Sequence, residues 1–395
     1  MLLPLQVFDE TLRDGEQQVG ICFSYQAKCE LAHLIASTGV QRIDLMPAVD
    51  EGEAALLRHL SAAGLRDRLS AATPVGSAFI DQARACGVKR IVLFYAVSDR
   101  LLFLRDPEVR SDPAWSGKTI DDGIPARLLH EIRERMIARV LENLRDARSG
   151  EEPLEVDFAA EDASRADPEF LAQCVRAFRP HIGHFLVCDT VGVLQPESVG
   201  GWIADLLRRT DGAPLGVHYH NDMGLALENT VRSVLAGATM VSGTFGGIGE
   251  RAGNVALDLV LEALRLRHGV RVEGIDYDAI PRVTTYLKQR GYEAAPPYSR
   301  AAQRHMSGIH VQSLLYDRRS YSIFADAEPD VWFGKVSGAA NFQYLYEKRL
   351  GRQLPHLAYQ RLSAGVKHRA QEEGRCFSSD EVLAMIERGE LGCEA

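Results

Sequence analysis

Short, nearly continuous apolar runs recur along the first two-thirds of the chain, at 5–9, 42–46, 69–72, 90–96, 155–160, 184–189, 215–220 and 240–244. Runs of this length suit strands covered on both faces, as in a parallel sheet. Between them lie longer stretches whose apolar residues return every three or four positions, at 24–37, 128–148, 168–178, 196–209, 224–236 and 254–268. That period predicts amphipathic helices. Local signals agree: Asp167 before Pro168 reads as a helix start, and Gly39 and Gly237 stand just past helix ends. Eight strand–helix units in about 270 residues predict a closed (β/α)8 TIM barrel over 1–270. An open doubly wound sheet is the alternative. It would need no eighth unit, and a glycine-rich phosphate turn would follow its first strand. That position holds Thr-Leu-Arg-Asp-Gly-Glu-Gln instead.

The rhythm breaks at 99–124, where charge, Pro107, Pro113 and Trp115 predict a long loop above the fourth strand. It stops after Gly269. Residues 271–300, with Pro296 and Pro297, read as a linker. Residues 301–395 read as small mixed C-terminal subdomains ending in helices at 357–374 and 379–388.

Composition removes several function classes. The net charge is −9 and no basic block is present, so the sequence offers no surface for nucleic acid or an anionic membrane. No stretch approaches the roughly 18 apolar residues of a membrane span. The N-terminus reaches Asp9 and Glu10 too early for a signal peptide. Seven cysteines, an odd number without a C-x-x-C pair, suit reduced thiols and a cytoplasmic protein.

Barrel enzymes carry their chemistry at the C-terminal ends of the strands. His218 and His220 stand at such an end, and residues two apart on a strand share a face. With Asp14 from the first strand opposite, they offer two nitrogens and one oxygen and leave positions open, the layout of a catalytic metal site. The blander alternative is a pair of hydrogen-bonded loop histidines. The donor set suits zinc, manganese, cobalt or iron, and magnesium with waters. Arg13 can reach a developing enolate or a carboxylate. Glu161, at the end of the fifth strand, reads as a base or a substrate contact. The glycine-rich run 246–253 before Asn254 is either a tight strand-to-helix turn or a segment that lets backbone approach a ligand closely and puts an amide near the metal.

Three segments then carry a resemblance. Phe8-Asp9-Glu10-Thr11-Leu12-Arg13-Asp14-Gly15-Glu16-Gln17, His218-Tyr219-His220-Asn221-Asp222-Met223-Gly224-Leu225-Ala226 and Gly247-Ile248-Gly249-Glu250-Arg251-Ala252-Gly253-Asn254 resemble, in order, the signatures of the DRE-TIM metallolyase family. Within it they are similar to the Claisen-condensing 2-isopropylmalate, citramalate and homocitrate synthases. Glu10 stands where threonine is usual. His305-Met306-Ser307-Gly308-Ile309-His310, with Tyr321 beyond it, resembles the synthases' tail motif. The resemblance implies a divalent metal ion on Asp14, His218 and His220, with Asn254 near it. It implies Arg13 at the enolate oxygen and Thr190 at the 2-oxo acid carboxylate, with Gln17, Asp44 and Asp157 around the substrate. His310 and Tyr321, with Glu161, would remove the proton from acetyl-CoA. The implied reaction joins acetyl-CoA to a 2-oxo acid with thioester hydrolysis. The implied assembly is a homodimer whose tails complete each other's sites.

Asp157 stands where homocitrate synthases tend to carry arginine, so a monocarboxylic acid with an apolar side chain is expected. The stretch Val97-Ser98-Asp99-Arg100-Leu101-Leu102 has leucine where many relatives place a histidine, and Asp44-Leu45-Met46-Pro47 replaces a glutamate-bearing turn, which points away from a standard leucine-pathway enzyme. The length leaves no room for a regulatory domain, so no leucine inhibition is expected. Two other readings compete. A retro-Claisen hydroxyacyl-CoA lyase would place a cysteine in the glycine-rich loop, and 243–254 has none. A non-catalytic binding barrel would have lost a metal ligand or the tail pair, and all are present.

Overall fold

A computed structural model describes residues 1–324 and 327–391. Eight parallel strands close on themselves: β1 Gln6–Asp9, β2 Arg42–Leu45, β3 Leu69–Pro74, β4 Arg90–Ala96, β5 Glu155–Glu161, β6 Phe185–Asp189, β7 Leu215–Tyr219 and β8 Met240–Gly243. The last pairs with the first, Gln6 facing Met240 and Asp9 facing Gly243. Helices separate the strands. The first two are α1, Tyr25–Ser37, capped by Ser24, and α2, Glu51–Leu60, capped by Asp50. Gly39 follows α1 at φ +83°, and a side chain there would run into the Gly274 carbonyl. Among the described residues no helix is long and apolar enough to cross a membrane.

Strand parity fixes what fills the barrel. Phe8, Val92, Leu186 and Met240, with Ala159, form an apolar plug across the middle of the barrel. Gly216 belongs to this layer, because a Cβ there would stand 2.8 Å from the Leu186 side chain. Asp157 lies two residues before Ala159 on β5. It is buried and forms an ion pair with Arg42 at the start of β2, and it accepts the His184 amide at 2.8 Å.

Two expectations change. The segment 99–124 is not a loop: it carries helices Asp99–Arg105 and Pro107–Ser111 and two short 3-10 turns. Asp106 and Asp112 cap the turns that start at Pro107 and Pro113, so these prolines begin helical turns rather than break them. The linker is also shorter than 271–300. Helix Ile280–Gln289 buries Ile280, Val283 and Leu287 in the main core, and Tyr286 donates to Glu30 of α1 at 2.8 Å.

The tail has its own core and sheet. β9 Arg304–His305 runs parallel to β10 Asp330–Phe333, which pairs antiparallel with β11 Phe377–Ser378. Val331, Phe333, Phe342, Val366 and Phe377 pack behind it. Helices His356–Glu373 and Ser379–Glu387 close the fold.

Candidate active site

At the C-terminal end of the barrel, Asp14, His218 and His220 bring one ligand atom each into a tight group. The two His Nε2 atoms are 3.3 Å apart, and they lie 3.8 and 3.9 Å from Asp14 Oδ2. A point ~2.1 Å from all three atoms lies inside this triangle, a normal metal–ligand distance. Protonation states fit as well. Burial opposes ionisation of Asp14, but the Arg13 guanidinium and the two imidazoles outweigh it and hold the carboxyl below the usual range. Burial depresses both histidines, and neutral imidazole is the ligating form.

Neighbours orient these ligands. His218 Nδ1 is 3.0 Å from Ser242 Oγ, which donates to Glu10 Oε1 at 2.8 Å. That chain puts the His218 proton on Nδ1 and turns the Nε2 lone pair toward Asp14. Asp14 Oδ1 accepts the Glu250 amide at 3.1 Å. Gly249, at φ +155°, is required here, because a Cβ would stand 2.1 Å from Asn254 Nδ2 and 2.9 Å from Asp14 Oδ1. Asn254 Oδ1 is buried without a hydrogen-bond partner, an acceptor left over beside the three ligands. Arg251, itself at positive φ, donates to Asp222 at 2.8 Å and so fastens the turn after β8 to the turn after β7.

A cavity of about 320 Å³ opens over this cluster. Val92, Phe94, Ala159 and Leu186 line it with Ala72 and Met46. Arg13, Gln17, Asp44 and Thr190 also face it. Arg13 Nε donates to Glu10 Oε2 at 2.6 Å, its Nη1 donates to Asp14 at 3.1 Å, and Asp44 Oδ2 lies 3.6 Å from Nε. Thr190 Oγ1 accepts the Asp162 amide at 2.8 Å. Asp157 does not reach the cavity. Its column points inward, but it sits below the plug with its charge matched by Arg42.

The tail lies over the mouth of the barrel. His310 and Tyr321 stack with ring centres 3.7 Å apart. His310 Nδ1 is 2.7 Å from Glu250 Oε2. Burial depresses His310 to about 3, and burial with the nearby Asp14 charge raises Glu250 to about 8. The Tyr321 hydroxyl donates to Glu161, and Arg105 pairs with Glu161 and donates to the same hydroxyl. Burial would raise Glu161, but Arg105 holds it below the usual carboxylate range, so it is ionised and paired.

Sequence reasoning missed Arg105, Ser242 and the role of Glu250. Glu250 lay inside a quoted signature, whereas Arg105 lay in the stretch taken for a loop. Leu101 and Leu102 are both buried in the main core and do not line the cavity.

The HMGL-like family matches residues 4–286, the whole barrel and most of the helix at Ile280–Gln289. The chain belongs to the HMGL-like family. The homocitrate synthase AksA of Methanopyrus kandleri is 33% identical over 80% of this chain and 74% of its own. CimA of Archaeoglobus fulgidus, a candidate (R)-citramalate synthase, is 30% identical over 81% of this chain and 61% of its own. Among solved structures, hydroxymethylglutaryl-CoA lyase from Pseudomonas aeruginosa superposes with a TM-score of 0.55, covering 76% of this chain and 97% of that one. At 22% identity it supports the shared HMGL-like fold and nothing finer.

Proposed function

We propose that the protein is a metal-dependent acyltransferase that condenses acetyl-CoA with a monocarboxylic 2-oxo acid bearing an apolar side chain. The synthases among its relatives support the reaction class, and the tail pair His310 and Tyr321 beside the cavity suits it. A divalent cation on Asp14, His218 and His220 would supply electrophilic pull on the ketone carbon. Arg13 offers its remaining N–H donors to the oxygen that gains charge. Thr190 and Gln17 stand where the acid's carboxylate would lie. His310, kept neutral by burial and seated against Glu250, is the base for the acetyl methyl group, and Tyr321 fixes the plane of its ring.

The choice of acid rests on the cavity's apolar floor. Val92, Phe94, Ala159 and Leu186 form it, and a second substrate carboxylate there would lose its hydration with no replacement. Glu10, Asp14 and Glu161, each ion-paired to an arginine, already face the space. Of the cationic side chains lining it, Arg13 is paired with Glu10 and Asp14, and Lys367 donates to the Val49 carbonyl. Asp157 plays no part in this choice, since it lies outside the cavity.

The test is CoA release, followed with a thiol reagent, from acetyl-CoA and a panel of acids: pyruvate, 2-oxoisovalerate, phenylpyruvate, phosphonopyruvate, oxaloacetate and 2-oxoglutarate. An apolar monocarboxylic acid is expected to exceed 2-oxoglutarate by at least ~10-fold in kcat/KM, because juxtaposed like charges disfavour the wrong partner strongly. Chelation should abolish release and a divalent ion restore it. Preference for 2-oxoglutarate, or full activity after chelation, would overturn the corresponding half of the proposal.

A further inference from the structure

Beneath the metal loop lies a group of four buried charges that the reaction does not use directly. Lys28 Nζ, on α1, is 2.5 Å from Glu16 Oε2 and 2.7 Å from Glu53 Oε1, and it donates to the Leu12 carbonyl at 3.1 Å. Glu16 follows Asp14 by two residues, and Glu53 lies on α2. Lys335 enters from the tail. Its Nζ is 2.5 Å from Glu53 Oε1 and 3.2 Å from Glu16 Oε2. All four residues are buried.

The charges do not balance within the barrel. It contributes two carboxylates and one ammonium, which leaves one buried negative charge in excess. Lys335 balances it. Burial opposes the Lys335 charge, and Glu16 and Glu53 outweigh that effect and hold it above the usual lysine range. Buried ion pairs of this kind are weak sources of net stability, but removing one partner is costly, and they suit the fixing of register. The barrel therefore presents a receptor for one cation, and only the correctly seated tail supplies it.

Lys335 is wired to the reacting end of the tail. The Gly334 amide donates to Ser337 Oγ at 2.9 Å, and Ser337 Oγ donates to the Met306 carbonyl at 3.2 Å. The Gly308 amide donates to the Val336 carbonyl at 3.2 Å. Gly308 and Gly338 approach so closely that a Cβ on Gly308 would stand 2.8 Å from the Gly338 nitrogen. Helix Gly308–Leu314, which carries His310, starts from this junction.

We infer that Lys335 is a positioning residue for the condensation: by completing the Lys28–Glu16–Glu53 receptor it seats the tail so that His310 and Tyr321 stand over the metal cluster. The inference rests on His310 acting in the reaction. Its test is a double-mutant cycle with Lys335→Met, His310→Ala and the double variant. Lys335→Met is expected to lower kcat by about 20-fold or more, as a catalytic group displaced by about an ångström does. The KM for the 2-oxo acid, which the barrel holds, should stay within about twofold. Because both changes act through His310, the double variant should be no slower than His310→Ala within about threefold. A purely structural lysine would instead give losses that multiply. Should Lys335→Met lose its fold, the charge-balanced Lys335→Met/Glu53→Gln protein takes its place in the same cycle. Multiplied losses, or a kcat for Lys335→Met within about twofold of wild type, overturn the role of Lys335. Unchanged turnover in His310→Ala is a separate result and overturns the reading of His310 itself.

Discussion

Asp9 ends β1 with its side chain fully buried, and its two oxygens accept the Thr11 amide at 3.1 Å and the Thr11 hydroxyl at 2.7 Å. Those bonds favour the carboxylate, but burial is the larger effect and lifts the group to about 7. A carboxyl that holds its proton more tightly when folded loses stability as pH rises from its unfolded value, near 4, to about 7, and nothing further above that. The amide of an Asp9→Asn variant has no such proton to lose. In urea unfolding at a series of pH values, wild type should therefore lose stability relative to Asp9→Asn by on the order of 1 kcal/mol per pH unit across that window. Parallel curves would show that Asp9 is ionised when folded. Single residues also show where sequence is readable. His218 and His220 could be placed from strand parity alone. The resemblance put Asp157 beside the substrate but could not give its depth in the barrel, and depth decides whether it meets substrate or Arg42. Arg105 could not be found, because its partner Glu161 is 56 positions away and no local pattern links them.

Turns, not strands, finish the metal cluster. The segment after β8 brings the Glu250 amide to Asp14 and Asn254 to the open side of the cluster, and Gly249 lets it pass between them. Gly249→Ala puts a methyl group into Asn254 and Asp14, both buried and held by neighbours. The variant is expected to keep the helical circular dichroism of the barrel and to lose at least about tenfold in metal affinity, measured by competition with a chromogenic chelator, as when a ligand's support is disturbed. Metal affinity equal to wild type would show that the turn can shift without cost. The sequence revealed this turn's glycines but not their purpose, since a tight strand-to-helix turn needs them too. Its opposite is 99–124, where proline and charge suggested a loop. The aspartates before Pro107 and Pro113 were the available signal, the same cap-and-proline pattern read correctly at Asp167 and Pro168.

At the scale of the molecule, the barrel was legible because eight repeats of one pattern leave few topologies open. The path of the tail was not, since a motif does not say which copy of the barrel it covers. Here Arg100 pairs with Asp317, Arg165 donates to the carbonyls of Arg319 and Ser320 at 2.7 Å, and Lys335 enters the charge cluster, all within one chain. A site complete in one chain predicts no complementation. Equimolar His218→Ala and His310→Ala proteins, unfolded and refolded together, should stay as inactive as each alone. Activity regained on mixing would mean that tails exchange between copies.

The plug of Phe8, Val92, Leu186 and Met240, with Arg42 and Asp157 beneath it, has a consequence for traffic. Among the described residues it fills the middle of the barrel, so the cavity is closed toward the far end. Whatever lies deeper must arrive earlier and leave later. With the small acid of the proposed condensation against the floor and the long thioester in the entrance behind it, the architecture would impose a queue: acid in before acyl carrier, carrier out before product.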